Sequence, residues 1–169
     1  MILYKDTLQT PIGLLTVVAD ETAIKAIYFE NRDRSEDYFR NMDFIINEIT
    51  DHIVINKAKK QLEEYFNASR EVFDLPLDPV GTDFQKLIWN ILRKIPYGET
   101  WSYADLAEYV GNAKACRAAG NANGKNPIPI IIPCHRVIAS DGPIGGFSGG
   151  LENKKALLSL EEVPISQAA

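Results

Sequence analysis

The sequence predicts an α+β protein, with a small N-terminal α/β domain built on a sheet and then a mainly helical C-terminal domain. Three observations predict it. Residues 14–29 read as a β-hairpin. Four segments further on carry apolar residues at helical spacing. Pro76 and Pro79 punctuate an extended stretch between these regions, which places a boundary near residue 80 and gives domains of 1–80 and 81–169. With 169 residues the chain is long enough to bury a core without disulfides.

The elements follow in order. Leu14–Ala19 is apolar and rich in β-branched residues, Asp20-Glu21-Thr22 is a polar turn, and Ala23–Phe29 alternates with a period near two. Residues 56–67 read as an amphipathic helix on Ala58, Leu62, Tyr65 and Phe66. Thr82 or Asp83 caps a helix whose Phe84, Leu87, Ile88, Ile91 and Leu92 form one stripe, and Pro96-Tyr97-Gly98 ends it. Ser102 with Asp105 makes a capping box for a helix that turns Leu106, Ala107 and Val110 to the core and stops at Gly111. Lys114–Asn123 is a further helix with small residues on one face, Ala115, Ala118, Ala119 and Ala122. The last two helices and their turn have the outline of a helix-turn-helix. In Asn126–Ile138 three prolines forbid a helix and stiffen the approach to Cys134, so that thiol is expected to be buried. A glycine-rich loop at 145–150 and a helix at 151–160, with Glu161 at its end, complete the chain.

Composition excludes several classes. No apolar run approaches the ~20 residues that span a bilayer. The start lacks the basic and apolar regions of a secretory leader. The cytoplasm of a prokaryote, or the nucleus of a eukaryote, is the expected compartment. Two cysteines, Cys116 and Cys134, cannot build a disulfide framework, and His52 and His135 stand far apart, so neither metal nor cofactor is expected. The net charge of −5 argues against a nucleic-acid binder. Its distribution softens that argument. Residues 1–81 hold nine Lys/Arg against fifteen Asp/Glu, whereas residues 82–169 hold nine against eight.

Chemistry can reside at Cys134 and His135. A thiol must become a thiolate to be a nucleophile, an imidazole can take the proton, and a carboxylate such as Glu161 can orient the imidazole. Each residue also has a plainer reading: free cysteine is usually core, and Glu161 is one acidic residue of 23. Tyr103 and Arg117 on the paired helices read equally as a half-buried aromatic and a surface charge, and Asn126 as a turn residue.

Pro133-Cys134-His135-Arg136-Val137 resembles the acceptor motif of the O6-alkylguanine-DNA alkyltransferases. The resemblance extends through Phe84-Gln85, Ile95–Thr100, Ser102–Ala107, Arg117–Asn123, Asn126-Pro127 and Gly146–Leu151, and so covers residues 82–162 in the family's order. Residues 1–81 fit that family's variable N-terminal domain in outline. The resemblance implies irreversible SN2 transfer of an alkyl group from O6 of guanine, and with it O4 of thymine, to Cys134. His135 would take the thiol proton through a water, Glu161 would hold His135, and Asn126 would fix the loop. Tyr103 and Arg117 would act in flipping the nucleotide, with Ala118 and Asn123 on the DNA-facing helix in the minor groove. Pro129, Val137, Ile144, Gly145, Gly146 and Ser148 would line the pocket, with Ser148 N–H on O6 and the Val137 carbonyl on the exocyclic amine. The implied partner is double-stranded DNA containing O6-alkylguanine, bound by a monomer. Cys116 stands where the family has a small residue, and Phe147 where it has tyrosine. A module that only recognises alkylated bases is the competing reading, and a cysteine at the acceptor position disfavours it. A cysteine hydrolase is the third, and it would require turnover.

Overall fold

The computed structural model describes residues 1–30, 32–139, 147 and 149–164, with Glu36 described in its backbone only. The chain divides into two compact units, Met1–Val80 and Gly81–Ala169.

The first unit is a four-stranded sheet with a helix packed on it. Strands β1 (Ile2–Thr10), β2 (Gly13–Ala19) and β3 (Ile24–Phe29) run antiparallel, and β4 (Ile45–Glu48) lies parallel to β1, giving the order β3-β2-β1-β4. The hairpin read at 14–29 is β2–β3. Strands β1 and β4 were not legible, because Lys5 and Asp6 interrupt the apolar alternation of one and the other is short and largely exposed. Between β3 and β4 a one-turn helix, α1 (Ser35–Tyr38), carries the chain back. Helix α2 (Ile53–Phe66) buries Ile55, Ala58, Leu62 and Tyr65, as its spacing requires. The proline-marked stretch is more than a linker. Ile24 N–H donates to the Pro76 carbonyl at 2.8 Å and Asp78 N–H to the Ile24 carbonyl at 2.9 Å, so this segment covers the edge of β3.

The second unit begins with α3 (Asp83–Leu92), capped by a reciprocal Thr82–Gln85 box. Its buried stripe is Ile88, Trp89, Ile91 and Leu92, while Leu87 is exposed. The indole explains the rotation, since Trp89 Nε1–H donates to the Ala122 carbonyl at 2.9 Å and a bulky aromatic with a partner displaces leucine from the core face. A Cβ at Gly81 would overlap the Trp89 ring, so only glycine leaves room beside it. Strand β5 (Trp101–Ser102) pairs in parallel with β6 (Val137–Ile138) and leads into α4 (Tyr103–Val110). Ser102 and Asp105 form the expected capping box, and Gly111 ends the helix at φ +88°. Asn112 caps a 3-10 turn, Ala113–Ala115, which runs into α5 (Cys116–Gly124). Helix α6 (Leu151–Leu160) closes the described chain. No helix among the described residues is long and apolar enough to cross a membrane.

The α+β class is therefore the observed one. The small-residue face of α5 is corrected: Ala119 and Ala122 point into the core and only Ala118 is exposed, because Ala119 and Ala122 lie where α3 and α4 pack against this helix.

Candidate active site

Cys134 is held by a stiff, closely bonded loop. Pro133 adopts φ −81° and ψ +62°, the geometry of an inverse γ-turn, and Cys134 N–H donates to the Ile132 carbonyl at 2.8 Å. The same carbonyl accepts from Asn126 Nδ2 at 2.7 Å, while Asn126 Oδ1 accepts from Ile128 N–H at 2.9 Å. Asn126 thus staples both ends of the proline-rich segment. Within it Ile130 has φ +74°, a left-handed conformation that a β-branched residue adopts only when its surroundings force it. Pro129 is buried in the same segment.

From Cys134 the chain enters a 3-10 turn, Cys134–Arg136, rather than an extended strand. That bend frees the two neighbouring side chains from pointing to opposite faces. Cys134 is 3% exposed and His135 is fully buried. His135 Nε2 lies 2.6 Å from Glu161 Oε2. A carboxylate only accepts, so Nε2 carries the proton and the lone pair is on Nδ1. Nδ1 is buried and has no hydrogen-bond partner among the described residues. Glu161, expected at a helix end, is 2% exposed. Its second oxygen accepts from Arg136 Nε at 2.7 Å, and Arg136 Nη1 donates to the Ile95 carbonyl at 2.7 Å. Burial alone would raise the Glu161 carboxyl. The hydrogen bonds and charges of His135 and Arg136 outweigh it and hold its pKa at about 2. Burial lowers the His135 pKa, helped by Arg136 and Lys154 and opposed by Glu161.

Burial also pushes the Cys134 thiol up to about 11, against a hydrogen bond from Asn126, the charge of Lys154 and the N–H groups of Cys134 and His135. A thiol in this state holds its proton at neutral pH and requires a base to react. Lys154 is fully buried on α6 and donates to the Val137 carbonyl at 2.7 Å. Burial lowers its pKa to about 8, with the Cys134 thiolate opposing. Tyr103 is half-buried, and burial together with the Cys134 charge raises its pKa. Gly120 of α5 lies against its ring, where an added Cβ would sit 3.4 Å from Cδ1.

The structure therefore brings Asn126, Lys154 and the His135 backbone N–H to the Cys134 thiol, joins Glu161 to the His135 ring and Val137 to Lys154, and sets Tyr103 close enough for the thiolate charge to be felt. Arg117 and Ala118 are exposed on α5. Asn123 is corrected: it is 4% exposed, on the core side of α5, and so is not placed to meet a groove. Ile144, Gly145, Gly146 and Ser148 lie outside the described residues. Phe147 and Cys116 are half-buried. Two residues of the cluster escaped the sequence reading, Arg136 and Lys154. Both left a signal. Arg136 interrupts an apolar run, and Lys154, Leu157, Leu158 and Glu161 share one helical stripe, which puts a lysine on the core face. Among the described residues no group of three His, Cys, Asp or Glu could hold a metal ion.

A buried thiol is followed directly by a carboxylate-paired histidine, in a unit built mainly of short helices. Residues 83–163 match the DNA binding domain of 6-O-methylguanine DNA methyltransferase and residues 3–79 its ribonuclease-like domain. The chain belongs to the 6-O-methylguanine DNA methyltransferase family. It is 44% identical to the methylated-DNA–protein-cysteine methyltransferase of Methanosarcina barkeri over 95% of this chain and 98% of that one. It is 40% identical to the constitutive enzyme of the same name from Bacillus subtilis, over 97% and 98%. Among solved structures it resembles Mycobacterium tuberculosis OGT in complex with DNA, with a TM-score of 0.80 and 38% identity over 94% of this chain and 93% of that one.

Proposed function

We propose that this protein repairs DNA by moving the alkyl group of O6-alkylguanine, and of O4-alkylthymine, onto Cys134 in a single irreversible turnover. The observation that carries the reading is a buried Cys134 thiol followed in the same tight turn by a histidine that Glu161 fixes at 2.6 Å, with His135 Nδ1 buried and without a partner among the described residues. The thiol proton passes to His135 Nδ1 through one water. The sulfur attacks the saturated alkyl carbon, a C–S bond forms and the bond to O6 breaks. Guanine leaves with the electron pair and takes up a proton at N1, so the proton lost by the thiol balances the one gained by the base. The product is a thioether, which water does not cleave, so no turnover follows.

Because Cys134 is 3% exposed, the damaged nucleotide must leave the duplex to reach it. The α4–turn–α5 pair acts as a helix-turn-helix, with α5 in the minor groove, Ala118 at its floor and Arg117 filling the space of the flipped base. Tyr103 assists rotation, and Asn126 holds the loop in its reactive form. The pocket is completed by Pro129, the Val137 carbonyl, Ile144–Gly146 and the Ser148 N–H on O6. Val137 offers the base its second lone pair, since Lys154 occupies one. Both tasks fall to the second unit, acting as the DNA-binding and alkyl-acceptor domain of a monomer.

The test is intact-protein mass after incubation with a duplex carrying one O6-methylguanine. One added methyl, mapped to Cys134 and absent with unmodified duplex, is the expected result. Tight binding with no mass gain would replace transfer by damage recognition.

A further inference from the structure

We infer that Arg136 is a positioning residue for alkyl transfer: by clamping one oxygen of Glu161 it fixes the carboxylate against His135 and sets the pH below which the base fails. The inference rests on the transfer reading above. Its geometry is closed on three sides. Arg136 Nε meets Glu161 Oε1 at 2.7 Å, His135 Nε2 meets Oε2 at 2.6 Å, and Arg136 Nη1 is anchored on the Ile95 carbonyl at 2.7 Å. The guanidinium also lies over the Tyr97 ring, 5.7 Å from its centroid. All three charged or titrating members are nearly or wholly buried, so their interactions are little screened.

A carboxylate bonded to histidine alone would be a buried anion that pulls protons onto the pair. With Arg136 on its other oxygen the pair has less appetite for a proton, and His135 stays neutral to lower pH. Other groups face the same pair: Lys154, whose charge also disfavours His135 protonation, the Cys134 thiol, and the Gly98 N–H, 3.4 Å from Glu161 Oε1. Tyr103 faces Cys134 from α4. Arg136 brings a cationic donor to Oε1 at 2.7 Å, against 3.4 Å for the neutral Gly98 N–H. Removing the Arg136 charge therefore raises the pH at which the His135–Glu161 pair takes its first proton, whichever of the two atoms receives it.

The experiment measures the single-turnover transfer rate against pH on a duplex carrying O6-methylguanine. The variants are R136M, R136Q and R136K, each checked by thermal melt. The acid limb is expected to move up by about one pH unit in R136M and R136Q. R136K, which keeps the charge but loses the fork, keeps the wild-type limb while transferring more slowly. A limb that stays put in a folded neutral variant overturns the inference. Absence of transfer in the wild type would instead sink the functional reading. Should neither neutral variant fold, the wild type still decides. The Arg136 Nε–H proton resonance should follow the His135 titration, and a resonance indifferent to it would refute the coupling.

Discussion

The two units handle charge in opposite ways. In Met1–Val80 the ion pairs lie mostly at the surface, such as Lys5–Glu48 at 3.7 Å and Arg34–Asp37 at 3.2 Å, and the core is apolar, built on Leu3, Val18, Ala26, Tyr28 and Phe39. Among its described residues the well-buried cation is Lys25, which lies between Asp20 and Asp78 and pins the β2–β3 turn to the segment along β3. Among the described residues of Gly81–Ala169, the charged or titrating side chains His135, Arg136, Lys154 and Glu161 are buried together with the Cys134 thiol. Buried charge is a poor source of stability, since desolvation offsets much of the attraction. Its concentration in one unit marks where the fold gives up stability to hold chemistry in place.

That comparison can be broken in graded ways. The largest effect is expected at Cys134: C134A should abolish methyl transfer while leaving binding to alkylated duplex intact, as read by mass and by fluorescence anisotropy. Equal loss of both would make Cys134 structural. Next is E161Q, which leaves Arg136 buried without its anion and should destabilise the protein by about 3–5 kcal/mol in urea unfolding. Its pH signature is specific. The folded pKa of Glu161, about 2, lies below the ordinary 4.5, so its stabilisation is complete above 4.5 and disappears as pH falls toward 2. E161Q should flatten that part of the stability curve, and an unchanged curve would mean the pair is not formed. In the first unit L62A should remove about 2–5 kcal/mol by leaving a cavity, yet the folded fraction should transfer at the wild-type rate. Slower transfer per folded molecule would show that the sheet domain participates in the reaction. The smallest effect is K5A, where Glu48 is 85% exposed and the change should stay below about 1 kcal/mol.

Much of this was legible in the sequence, for reasons that differ between residues. Caps were read well, because Thr82 and Ser102 act through neighbours three residues away. The loop at Cys134 was readable because proline restricts backbone wherever it stands. Glu161 could be offered as a carboxylate able to orient the imidazole, but only family resemblance singled it out, since nothing local distinguishes a helix-end glutamate facing His135 from one facing water. The face of α3 was misjudged by one position, because Trp89 finds its partner at the Ala122 carbonyl, far away in the chain. Asn123 was misassigned for the same kind of reason: which side of a small-residue helix meets the core is decided by the helices packed against it. Strand β4 is a short edge strand, which needs little hydrophobic pattern, and in β1, which lies between β2 and β4, Lys5 and Asp6 break the alternation.

The His135–Glu161 contact also has a bearing on how the protein is made. Its two members are 26 residues apart, and the nucleophile is synthesised first. A nascent chain that has finished Cys134 but not α6 has a thiol with neither its oriented base nor Lys154 beneath it. On the proposed mechanism, the proton path is complete only when the last helix has folded and brought Glu161 to His135.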